Sequence, residues 1–163
     1  MIRELKAADH DTVIDIVNES WKHQYSGYVN PLLLNEVGCQ ARADSMKRDF
    51  VSHRLSEYVW EENGRVLGLL SVGPTEERDK ADAFEIWRIY LAPEARGRGV
   101  GRKLLAFGED VASLEGYREI IIWVFRENRR AVSFYQKHGY RPDKEEFLGI
   151  PYQTWGIRLT KSI

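Results

Sequence analysis

The stretch RGRGVGR, Arg96 to Arg102, holds three arginines and three glycines in seven residues. It follows the apolar run FEIWRIYL, Phe84 to Leu91, and opens a stripe of Val100, Leu104, Phe107, Val111 and Leu114 at alternating spacings of four and three. That pattern places the loop between a strand and a helix. The first amide N–H groups of a helix lack intrahelical partners and carry the positive end of its dipole. Glycine at 97, 99 and 101 removes the β-carbons that would hold a phosphate away from those amides, and Arg98 and Arg102 add charge at the rim. The chemistry implied is anion binding, with a pyrophosphate as the best guest. The stretch lacks the GxxxxGK[ST] of a P-loop, and GRGVG is not the GxGxxG of a dinucleotide fold; no suitable acidic residue ends a following strand. On the loop alone, a glycine-rich turn with solvated arginines stays open as the plain alternative.

Other reactive types do not assemble. His10, His23, His53 and His138 show no ligand spacing with one another or with Cys39, so no metal site is expected. No GxSxG or comparable nucleophile setting appears, and Cys39 alone is a weak nucleophile candidate.

The elements that must position the loop are α/β from the start. Ile2 to Leu5 reads as a short strand, and Asp9 is placed to cap a helix whose apolar face is Val13, Ile14, Val17 and Trp21. HQYSGYVNP, from His23, breaks that helix at Gly27 and Pro31, and a second helix is expected over Ala41 to Val51. Two apolar or alternating runs flank Asn63-Gly64, the dipeptide of a tight hairpin. Pro74 to Asp82 is charged and turn-like, and the strand after it stops at Pro93. Gly116 ends the helix that begins at the glycine loop. EIIIWVF is then a buried strand, ENRRAVSFYQKHGY a helix from near Asn128 to Gly139 with Ala131, Phe134, Tyr135 and His138 inward, and FLGIPYQTWGIRL one or two strands bent at Gly149 or Pro151. We find no repeat and no composition break, so residues 1–163 are expected to form one domain.

The balance of 43% hydrophobic and 30% charged residues is that of a globular chain rather than a disordered one. A formal charge of -1 gives none of the basic excess a nucleic-acid binder needs, so no nucleic-acid partner is expected. The longest apolar run, Ile120 to Phe125, is far short of the roughly 20 residues that span a bilayer, and MIRELKAADHD lacks the apolar centre of a secretory signal. No membrane partner is expected. Cys39 is the only cysteine, which suits a reducing compartment, and the cytoplasm is the expected location.

RGRGVG resembles the [Q/R]xxGx[G/A] motif of the GNAT superfamily of N-acetyltransferases, with Arg96, Gly99 and Gly101 at the fixed positions. Pro93-Glu94 and the strand before it stand at that family's usual spacing, and NRRAVSFYQKHGY is similar to its second cofactor motif. The resemblance spans about Phe84 to Tyr140. It implies a three-layer fold: a mixed, mostly antiparallel sheet splayed around acetyl-CoA and flanked by about four helices. It also implies pantetheine contacts from Ile89, Tyr90 and Leu91, and a pyrophosphate held around Arg96, Gly97, Arg98, Gly99, Val100, Gly101 and Arg102. Asn128 and Tyr135 would lie at the cofactor, without any metal.

Acetylating an amine requires the amine to be neutral when it attacks and the thiolate to be stabilised or protonated as it leaves. Glu85 matches by spacing the position where some members carry a glutamate base. Shielded by Trp87 and its apolar neighbours, it would have a raised pKa; the alternative is that it is merely the exposed residue of an alternating strand. Tyr135 matches the tyrosine that serves as general acid. Tyr140 departs from the commoner phenylalanine. The resemblance puts the acceptor between Trp21 to Leu34 and Phe147 to Trp155, with Trp21, Tyr25, Tyr28, Trp87, Tyr152 and Trp155 as enclosing aromatics and Glu36 or a carboxylate of the 76–82 loop as counter-charge. Core packing by the same aromatics is the competing reading. The activity implied is direct transfer of an acetyl group to a primary amine of a small molecule or a protein; the alternative is a catalytically weak acyl-CoA sensor or scaffold of the same fold. The family often forms dimers, so a homodimer stays open.

Overall fold

A computed structural model describes all 163 residues. In chain order the elements are β1 (Ile2–Glu4), α1 (His10–Gln24), α2 (Glu36–Ser52), β2 (Ser56–Glu62), β3 (Arg65–Pro74), β4 (Phe84–Leu91), α3 (Val100–Leu114), β5 (Glu119–Phe125), α4 (Arg129–Lys137), β6 (Arg141–Leu148) and β7 (Thr154–Ser162). The strands form a seven-stranded sheet in the order β1-β2-β3-β4-β5-β7-β6. Every neighbouring pair is antiparallel except β4 and β5, which run parallel. This is the mixed, mostly antiparallel sheet with four helices that the motifs imply.

Side-chain alternation along each strand divides the core between the two faces of the sheet. Val13, Ile14 and Val17 of α1 and Ala43, Met46 and Phe50 of α2 pack with Val59 and Leu69 on one face. Leu104, Leu105 and Ala112 of α3 pack with Leu70, Val72, Phe84, Ile86, Ile120 and Leu159 on the other, where Tyr135 of α4 joins them. Asn63 and Gly64 both take positive φ, 52° and 73°, as the two-residue hairpin between β2 and β3 requires.

The parallel pair is what matters for function. β4 and β5 are bridged only at Phe84 with Ile120 and Glu85 with Ile121. Opposite Ser71 and Val72 of β3 the register of β4 slips by one residue, leaving Trp87 without a partner in the ladder. A bulge bends a strand and increases its local twist, and beyond this point β4 and β5 part.

The structure corrects several sequence expectations. Asp9 does not cap α1 with its side chain. A 3-10 turn over Ala7–Asp9 precedes the helix, so the carboxylate turns back to accept from the Lys6 amide at 2.8 Å and to pair with Arg3 at 2.7 Å. Helix α2 starts at Glu36, five residues before Ala41, capped by Asn35, whose side chain accepts from the Gly38 amide at 3.0 Å. Leu114 is 88% exposed; the rest of the expected stripe packs on the core, and the buried face of α3 extends from it to Leu105, Gly108 and Ala112. Strand β6 is an edge strand with a polar, mostly exposed sequence, so no apolar alternation announced its first half.

Candidate active site

Where β4 and β5 separate, a cleft of about 1040 Å³ passes through the sheet, lined from both faces. One end is the loop before α3. Gly97 and Gly99 hold φ of 72° and 79°, which L-residues with side chains rarely adopt, and a β-carbon at either would meet nothing within 4 Å. The backbone there is open to a ligand. Arg96, Arg102 and Arg130 line this end, and every carboxylate that lines the cleft, Glu76, Glu77, Glu85 and Glu146, comes from elsewhere. Arg98 turns away, with both terminal nitrogens 2.9 Å from the Glu62 carboxylate. Val100 is buried as the first residue of α3. The side chain of Arg96 donates from Nε to the Leu91 carbonyl at 3.0 Å and from Nη2 to Ser20 Oγ at 3.2 Å.

Along the gap, the orientation of the β4 peptide groups follows from its pairing. The Ala92 amide donates to the Leu67 carbonyl at 2.9 Å, and alternate residues of an antiparallel ladder point their peptide groups the same way. Tyr90 therefore turns its peptide groups toward β3, whereas Ile89 and Leu91 present theirs to the gap. Across it, Asn128 caps α4 by accepting from the Ala131 amide at 3.2 Å. Tyr135, only 6% exposed, reaches the cleft with a phenol whose pKa burial raises, so it keeps its proton at neutral pH.

Glu85 sits at the crotch where the two strands last touch. It is buried, and one carboxylate oxygen accepts from Thr75 Oγ1 at 2.7 Å. Burial is the largest influence and pushes its pKa up to about 7; the Thr75 hydrogen bond opposes this, and Glu77 and Glu76 add to it. The reading of Glu85 as an exposed strand residue is thereby corrected: a solvated carboxylate would keep its ordinary value, and this one is packed under the cleft.

An aromatic wall lines the cleft from α1, β5 and the β6–β7 turn. Trp21 stands edge-on to Tyr25 at 4.9 Å and to Phe125 at 5.6 Å, and Tyr152 lies 6.0 Å from Phe125. The Trp21 indole N–H donates to Tyr90 Oη at 3.0 Å, and Tyr25 Oη lies 3.3 Å from the same oxygen. Trp87 lines the cleft with its N–H on the Pro74 carbonyl. Tyr28 stands behind the wall, its hydroxyl on the Gln24 carbonyl and its ring against Tyr25 and Phe125. Trp155 packs on Phe147 under the Arg126 guanidinium, and Glu36 lies on the outer surface of α2; neither lines the cleft.

Sequence reasoning missed four contributors. The Tyr90 phenol is the hub of the wall. Trp123 lines the cleft, as does Arg88, which donates to Asp49 at 2.6 Å. Arg158, 3% exposed, binds Asp79, Asp143 and Glu77 at 2.8 to 3.0 Å. The continuous apolar run IIIWVF assigns no face to Trp123, and nothing local marks Arg158. The ion pairs at this end join Asp49, Glu57, Glu76, Glu77, Asp79, Glu119, Asp143 and Glu146 to Arg54, Lys80, Arg88, Lys144 and Arg158. Of the charged groups that line the cleft away from the loop, four are carboxyl groups, Glu76, Glu77, Glu85 and Glu146, and one is a cation, Arg88, so this end of the cleft favours a positive ligand.

Residues 13–140 match the profile of the Acetyltransferase (GNAT) family. The chain is 29% identical over 163 aligned residues to an uncharacterized N-acetyltransferase, YuaI, of Bacillus subtilis, an alignment that covers 97% of this chain and 87% of that one. It is 28% identical over 149 residues to a spermidine N(1)-acetyltransferase of Thermoplasma acidophilum, covering 86% and 87%. A crystal structure of the PaiA N-acetyltransferase of Thermoplasma acidophilum in complex with coenzyme A shares the fold, with a TM-score of 0.74 and 22% identity over 100% of this chain and 98% of the other.

Proposed function

The chain belongs to the GNAT acetyltransferase family and is an N-acetyltransferase; from that premise we propose that it moves an acetyl group from acetyl-CoA directly to a primary amine of a polycationic acceptor. The observation that carries this reading is the cleft itself, with a glycine-lined cradle and arginines at one end and a buried carboxylate among acidic groups at the other. The activity of the spermidine-acetylating relative agrees with that charge asymmetry.

The residues fit acetyl-CoA. Backbone amides from Gly97 to Arg102 would hold the pyrophosphate, with Arg102 and Arg130 supplying charge. The gap-facing peptide groups of Ile89 and Leu91 would pair with the pantetheine amides as a neighbouring strand would. When bound, acetyl-CoA supplies an acetyl group activated as a thioester.

An acceptor ammonium must lose a proton before it attacks. Glu85 takes that proton at its carboxylate, directly or through one water, and a pKa of about 7 leaves a working fraction ionised at neutral pH while keeping it basic. Tyr135 holds its proton at Oη facing the gap, where a departing sulfur needs one. The aromatic wall of Trp21, Tyr25 and Tyr152 encloses the acceptor by cation–π contact, and Glu76, Glu77 and Glu146 attract its remaining charges.

Isothermal calorimetry with acetyl-CoA, followed by thiol-release assays on spermidine, a lysine peptide and a neutral aromatic amine, tests the proposal. Micromolar binding with faster turnover of the first two acceptors is the expected result. Absence of acetyl-CoA binding by folded protein overturns the cofactor site, and preference for the neutral amine overturns the acceptor class.

A further inference from the structure

Arg96 is the first residue of the glycine loop, yet its guanidinium is committed elsewhere. One nitrogen donates to the carbonyl of Leu91, on the gap-facing edge of β4, and another to Ser20 Oγ on α1. Ser20 has no exposed surface and is followed by Trp21, whose indole is tied in turn to Tyr90. A single side chain therefore ties the loop and the strand edge just before it to α1, which contributes Trp21 to the aromatic wall and whose Ser20 lies 76 residues earlier in the chain. The planar guanidinium fork suits this task, because Nε and Nη2 donate in two fixed directions, whereas a lysine ammonium would hold neither geometry.

We infer that Arg96 is a positioning residue that couples the two ends of the cleft: a cofactor that orders the loop and the Leu91 edge also orders α1, setting Trp21 and Tyr25 for the acceptor. The inference rests on the reading of the cleft as an acetyl-CoA site. Ordering one ligand's surroundings in advance lowers the cost of binding the other, and such coupling is reciprocal.

Hydrogen exchange of the full chain, read by mass spectrometry with coenzyme A as the probe, tests it without knowledge of the acceptor. In the wild type, coenzyme A is expected to slow exchange at least about threefold in residues 17–25 as well as in the loop. Ser20→Ala cuts the bridge at its far end: calorimetric affinity for coenzyme A stays within about twofold, loop protection persists, and the protection of α1 disappears. Arg96→Ala and Arg96→Lys lose it too. Unchanged protection of α1 in Ser20→Ala and Arg96→Ala overturns the inference, as does its absence from the wild type with coenzyme A bound. A hundredfold loss of affinity in Arg96→Ala, with Ser20→Ala behaving as wild type in exchange, also overturns it and makes the guanidinium a phosphate ligand. Failure of the wild type to bind coenzyme A at all would instead sink the reading of the cleft, and the two failures are distinguishable by the calorimetry.

Discussion

The two ends of the cleft are built on different principles. The loop end is made of consecutive residues and largely of backbone: Gly97 and Gly99 at positive φ, and the amides that open α3. The acceptor end is made of side chains from α1, β4, β5, the β6–β7 turn and the loop after β3, held by a partly buried hydrogen-bonded and ionic network. A ligand end made of backbone tolerates changes in surrounding side chains and fails when a β-carbon or a wrong charge enters it. One made of side chains tunes pKa and specificity, and is sensitive to single polar substitutions.

The largest expected effect is at the crotch. Glu85→Gln is expected to lower kcat by about 10²- to 10³-fold, the usual range for removal of a general base. In the wild type, kcat/KM is expected to rise with pH as Glu85 ionises around 7, and that limb should vanish from the pH profile of the variant. A profile unchanged in shape would remove Glu85 as the base.

Gly99→Glu attacks the other end. Its side chain meets a positive φ, costing about 1 kcal/mol, and its carboxylate enters the cradle. We expect about a hundredfold weaker acetyl-CoA binding by calorimetry, while substitutions at the acceptor end leave that affinity unchanged.

The sign of the Glu85 pKa shift also makes a stability prediction. The folded state holds this proton up to about 7, against an ordinary value of 4.5, so between those values the folded protein binds more protons than the unfolded chain. Stability therefore falls as pH rises through that window, by up to about 3 kcal/mol for this group. Gln keeps an oxygen for Thr75 and has no charge to bury. Glu85→Gln should consequently melt higher than wild type at pH 8 and the same as wild type at pH 4, measured by calorimetric scanning; a lower melting point at pH 8 would contradict the buried-carboxylate account.

Tyr135→Phe removes only the phenolic hydroxyl, and about a tenfold lower kcat with unchanged acetyl-CoA affinity is expected from thiol-release assays. The smallest effect belongs to Glu77→Gln. Glu77 is bonded to Arg158 at 3.0 Å and lies near Lys144, so its loss frees cations at the acceptor end. KM for spermidine should rise about fivefold, with kcat nearly constant and a weaker dependence on salt. An unchanged KM would mean that charge at this end does not select the acceptor.

Much of this was legible in the chain. Asn63-Gly64, Gly116 and Gly139 mark turns because positive φ is a local property, and all three positions show it. The order of strands and helices through Leu148 followed from periodicity, except where a face was thin, as at the start of α2, or polar, as in β6. Glu85 and Tyr135 were named through the resemblance, Glu85 by its spacing and Tyr135 by the NRRAVSFYQKHGY motif, and both line the cleft. Tyr90 was assigned to the cofactor by its backbone, whereas its peptide groups serve β3 and its phenol serves the wall; one slipped register at Trp87 decides which way each group of β4 points, and no spacing in the sequence reveals a bulge.

What the sequence determined by itself is the loop end, since a run of glycines before an apolar helical stripe dictates open amides wherever it folds. The tertiary structure alone decided the acceptor end. Arg158 meets Glu77 and Asp79 across about eighty residues of chain, and Glu85 acquires its pKa from burial and from carboxylates on a neighbouring loop. Desolvation and Coulomb interactions depend on distance in space, which becomes defined only when the sheet has closed around the gap.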